Sequence, residues 1–135
     1  MVVAIGGALD SANAAVDKNS IKVAFAKAPG AEMAYIANSL VSKAKKADKA
    51  GTAMEVLRVA VAKKPAVCVS VVSFICSLVP DAAADIAAEA VKLTPEYTKQ
   101  IARAAAKAAP AKIDKITIAI LKVTNVKKHQ MVYNS

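Results

Sequence analysis

The chain has one histidine, two cysteines, four glycines and an aromatic content of only 4% in 135 residues. Each shortage excludes something. A catalytic centre needs polar groups that converge, and one histidine with ten acidic residues, mostly at helix ends, provides no such set. No glycine-rich phosphate loop occurs, and no Cys, His, Asp or Glu spacing of a metal site. The chain therefore reads as a non-enzyme that carries no cofactor. Asp81, Asp85 and Glu89 recur every four residues. Carboxylates repeated in this way repel one another, and they read as a solvated stripe rather than a cation site.

Cys68 and Cys76 share one apolar stretch, eight residues apart. On a helix that is about 12 Å along the axis, beyond the ~7 Å over which two cysteines can be bridged. They are expected as buried, inert thiols. The single histidine, His129, follows two lysines and is given no role. That apolar stretch, 66–79, has fourteen residues and is too short to span a bilayer, so no transmembrane segment is expected.

What the chain has instead is alanine and a fixed beat. Hydrophobic residues make up 56%. Prolines stand at 65, 80, 95 and 110, an interval of fifteen. With each proline as zero, the sixth residue is Val71, Ile86, Ile101 or Ile116. The tenth is Ile75, Ala90, Ala105 or Ile120, and the eleventh Cys76, Val91, Ala106 or Leu121. Such positions share one face of a helix. Lys92, Lys107 and Lys122 fall at the twelfth place, where cations complement the helix dipole. Proline suits a first helical turn and pushes the residue before it out of helical geometry. Each proline thus ends one helix and starts the next.

Upstream, Pro29 opens 30–44, with Tyr35, Ile36 and Leu40 on the apolar side, and Ala50 stands in the proline slot of 51–64. IKVAFAKAP at 21–29 parallels LRVAVAKKP at 57–65, and AKKADK at 44–49 interrupts the beat once as a loop or helix extension. The spacing predicts helices near 15–28, 30–44, 51–64, 66–79, 81–94, 96–109 and 111–124. The fold class is all-α: about seven short antiparallel helices in an α-solenoid-like array. A plain helical bundle with regular prolines is the alternative. A non-helical apolar arm at 1–14 precedes the repeat domain, 15–124, and a non-helical tail at 125–135 follows it.

Helix 66–79 carries no charge. In an open array its outer face would be an apolar patch for another subunit; a strand is the competing reading of its β-branched run. The last helix, 111–124, is richer in isoleucine than its neighbours, where a water-facing terminal repeat should be polar. Residues 1–14 lack the basic start and long apolar run of a signal peptide, although Ala12-Asn13-Ala14 has the form of a cleavage site. They read as an arm on the protein's own core or on a neighbour, with MVVAI as a possible short strand. That site tilts the reading to an exported or surface structure.

Two functions fit. The first is a structural subunit whose partner is itself, in a filament, tube or other homopolymer. Its expected interface is Val2, Val3, Ile5 and Leu9 in the arm, Val71 and Phe74 in the central helix, Ile113, Ile116, Ile120 and Leu121 in the last helix, and Met131, Val132 and Tyr133 in the tail. The second is a nucleic-acid or polyanion binder, suggested by the net charge of +9 and a patch of Lys43, Lys45, Lys46 and Lys49. Lysines ending alternate helices fall on opposite rims, and basic and aromatic residues do not interleave. Both points favour the first reading.

Overall fold

A computed structural model describes residues 18–26 and 28–134, with side chains described over 20–26 and 28–124. Seven helices follow one another there, without a strand among the described residues. They are α1 (Lys18–Ala26), α2 (Gly30–Lys43), α3 (Lys49–Lys63), α4 (Cys68–Leu78), α5 (Ala83–Leu93), α6 (Thr98–Ala108) and α7 (Ile113–Asn134). The chain is the all-α, proline-punctuated array that the beat predicts. The arm at 1–14 lies outside the described residues.

The prolines act by one repeated device. Pro65, Pro80, Pro95 and Pro110 each open a single 3₁₀ turn that runs into the next α-helix. The residue before each, Lys64, Val79, Thr94 or Ala109, leaves helical geometry, with φ between −150° and −131°. Its N–H still donates to the carbonyl four residues back, at 2.8–2.9 Å. Its carbonyl accepts from the N–H three residues on, at 2.9–3.1 Å. One residue therefore closes one helix and opens another, with its own N–H and its own carbonyl both bonded.

Cross-helix bonds fix the directions. Thr94, just past the end of α5, lies 3.2 Å from Cys68 at the start of α4, so consecutive helices run antiparallel. Lys112 and Asp81, in the opening turns of α7 and α5, pair at 3.2 Å, so alternate helices run parallel. Lys63, at the end of α3, donates to the carbonyls of Phe25 and Ala26 at the end of α1, which repeats the pattern. The helices thus form two rows: α1, α3, α5 and α7 in one, α2, α4 and α6 in the other. From α4 onward each helix packs chiefly within its own row, as α5 does on α7 and α4 on α2 and α6, whereas α3 packs most on α2.

The buried face recurs from unit to unit. In α4 and its opening turn it is Val67, Cys68, Val71, Val72, Ile75 and Cys76; in α5 it is Ala82, Ala83, Ile86, Ala87, Ala90 and Val91. Counted from Ala50, α3 buries the same places: Thr52, Ala53, Val56, Leu57, Ala60 and Val61. The helix itself starts earlier than expected, after a 3₁₀ turn at Lys46–Asp48. The insertion is thus mostly the link and that 3₁₀ turn; α3 gains one additional turn, residues 49–52, and the Ala50 frame holds beyond it.

Two other boundaries differ from the sequence reading. Pro29 is the N-cap of α2, extended at φ −64°, ψ 154°, so the unit counts from Gly30. That shift of one place turns Tyr35 outward, 73% exposed. The expected non-helical tail is helix: α7 continues to Asn134 because neither proline nor glycine follows Pro110 to stop it.

Candidate functional site

The repeat gives each helix two packing edges. The third, seventh and eleventh places meet the later helix of the row. The sixth and tenth meet the earlier one. The ends of the array establish this assignment. In α2, the first of its row, Met33, Ala37 and Val41 are fully buried beneath α4, while Ile36 and Leu40 are only partly buried. In α6 and α7, the last of their rows, the pattern inverts. Ile101, Ala105, Ile116 and Ile120 are buried, while Thr98, Ala102 and Ala106 are half-exposed. Ile113 and Leu121 stand open at 45% and 52% exposure, with Thr117 exposed between them.

Among the described residues, the array therefore has an open face on α6 and α7. Its large residues, Ile113 and Leu121, occupy places that hold Ala83 and Val91 in α5 and are covered there. Ile118 also lies exposed on α7. Such a strip is the edge a further helix would cover in a longer array, rather than a polar cap.

The expected interface residues divide accordingly. Ile113 and Leu121 lie on the open face. Ile116 and Ile120 do not; they point back to α5 and belong to the core, and Val71 is likewise buried. Sixth and tenth places always face the preceding helix of the row, which a sequence count of apolar residues does not distinguish from the following one. Phe74 is 45% exposed on the outer side of α4, but Ser70, Ser73 and Ser77 surround it there. The expected apolar patch on α4 is thus a serine surface with one aromatic ring. Val2, Val3, Ile5 and Leu9 lie outside the described residues, as do the side chains of Met131, Val132 and Tyr133.

Lys43, Lys45 and Lys46 are exposed and Lys49 half-buried where α2 turns into α3. None of the four is in an ion pair among the described residues. A second basic place was invisible in the linear sequence. A groove of about 410 Å³ between α4 and α6 brings Phe74 beside Arg103 and Lys107, with Ser70, Ser73 and Gln100. The aromatic and basic residues do interleave there, across a separation of nearly two repeats.

A larger cleft of about 530 Å³ is lined by Phe25, Val59, Leu93, Lys22, Arg58 and Lys63. Two of its three cations are already engaged. Arg58 is held by Glu89 and Glu55, whose hydrogen bonds push its pKa up. Lys63 is spent on backbone carbonyls. Among the described residues, no acid or histidine lines the cleft.

Burial pushes the Cys76 thiol up to about 12 and raises Cys68 as well, so neither is a nucleophile at neutral pH. Among the described residues no three metal-ligating side chains gather, and no helix is long and apolar enough to cross a membrane. Compared with protein-family models, curated proteins and solved structures, the chain matches none.

Proposed function

We propose that the protein is a structural subunit that assembles with copies of itself into a filament or tube through the open end of its helical array. One observation supports this above the others: Ile113 and Leu121 are exposed at repeat positions that interior helices bury. Covering them removes apolar surface from water at about 25 cal/mol per Å². The two ends of the array offer different edges, so the contact is heterologous, and a heterologous contact that does not close gives a filament.

Negative-stain electron microscopy with light scattering over a dilution and salt series tests the proposal. Filaments or tubes that persist at high salt are the expected outcome, because apolar assembly strengthens under salting-out conditions. A monomer at every concentration and salt would overturn it.

The second reading, binding of nucleic acid or another polyanion, draws on the groove that joins Phe74 to Arg103 and Lys107. It predicts affinity that falls steeply with salt.

A further inference from the structure

We infer that assembly is head-to-tail in a fixed register, with α2 of one copy lying on α7 of the copy before it. This rests on the self-assembly reading and goes beyond it by naming the opposing edge.

Within the chain, the burial pattern sets third, seventh and eleventh places toward the sixth and tenth places of a parallel helix. Ala83, Ala87 and Val91 of α5 and Ile116 and Ile120 of α7 are all buried where these two helices pack, and Lys112 with Asp81 keeps their starts level. The open face of α7 offers Ile113, Thr117 and Leu121. Among the described residues, the matching unpartnered edge with large side chains is on α2, where Ile36 and Leu40 hold the sixth and tenth places and are only partly buried. The tenth place of α1, Ala24, is small. It suits the small edge of α6, which is Thr98, Ala102 and Ala106.

Order in the array leads to the same pairing. Among the described residues, the next place after α7 lies beside α6, in the other row. With the first described helix of a following copy in that place, its α2 falls on α7. Rows and helix directions both exchange at the junction. Each copy is thus turned about half a turn from its predecessor around the array axis, the same operation that relates consecutive helices inside the chain. With level starts, Leu121 of one copy comes against Leu40 of the next.

Single-cysteine replacements on the full chain test this. Leu121→Cys, Leu40→Cys and Ala24→Cys are made separately, mixed in pairs and oxidised. Cys68 and Cys76 are fully buried and stay silent. A disulfide-linked dimer that forms when Leu121→Cys meets Leu40→Cys, and in neither variant alone, is the expected result. Preferential linkage of Leu121→Cys to Ala24→Cys would place α1 on α7 and overturn the register. Linkage of Leu121→Cys with itself would make the end contact two-fold and overturn it too. Filaments without any of these links would overturn the register and leave self-assembly standing. Absence of assembly in the unmodified chain would remove both.

Discussion

Arg58 Nε lies 3.0 Å from Glu89 Oε2, across a sequence separation of 31 residues. That is one more than two fifteen-residue repeats, so the pair records how α3 and α5 stand: parallel, with neighbouring turns level. The same guanidinium reaches Glu55 at 2.8 Å, one turn back on its own helix. Arg58 is 44% exposed, and water screens an ion pair of this kind. Glu89→Gln is expected to cost less than about 1 kcal/mol in urea unfolding. A loss above about 2 kcal/mol would mean that the pair, rather than apolar stacking, holds the row together.

Stacking is tested at Ile101. Its side chain is fully buried at the sixth place of α6, packed toward α4. Ile101→Ala is expected to destabilise by roughly 2–5 kcal/mol through lost burial and the cavity left behind. The denaturation midpoint should fall without a change in slope.

Leu121→Lys separates assembly from folding. Leu121 is 52% exposed, so the charge meets water in a single copy and loses little stability, within about 0.5 kcal/mol. Circular dichroism and the thermal midpoint should be unchanged. Light scattering should show assembly abolished, because an unpaired cation would then be buried at the junction. Normal filaments from this variant would locate the contact elsewhere.

The Thr52 hydroxyl is buried with no hydrogen-bond partner among the described residues. Thr52→Val keeps the shape and removes the stranded polar group, so a gain of about 1 kcal/mol is expected. An unchanged or lower melting temperature would count against the burial of an unpartnered hydroxyl.

Cys76 makes stability depend on alkaline pH. Its folded pKa is raised to about 12 from an unfolded value of 9.0. The folded state therefore favours the neutral thiol. Its contribution is complete below pH 9 and is lost as pH rises from there towards 12, where the unfolded chain has already released the proton. Unfolding titrations across that window should show a decline that is shallower in Cys76→Ala than in the unmodified chain. Identical slopes would contradict the shift.

Much of this fold was legible because proline marks each boundary and the same buried places recur from one unit to the next. What the sequence hid follows from geometry rather than composition. Val71, Ile116 and Ile120 look as suitable for an interface as Ile113 and Leu121, since all are large and apolar. Only the two-row packing separates the edge facing back from the edge facing on. Phe74, Arg103 and Lys107 belong to helices two units apart, so no linear pattern joins them. Tyr35 faces away from the expected apolar side because Pro29 caps its helix instead of opening it, and a displacement of one residue turns a side chain by about 100°.

The additional turn of α3 has a counterpart in how genes tolerate insertions. Four residues rotate a helix by about 400°, which leaves the remainder some 40° from its former facing, and the buried places beyond Ala50 keep their neighbours. One or two residues would rotate it by roughly 100° or 200° and present Lys and Arg where Val and Ala belong. These helices thus have a reading frame of their own, set by the turn instead of the codon. Changes of length that respect it leave the buried stripe facing the core, and the rest are frameshifts in three dimensions.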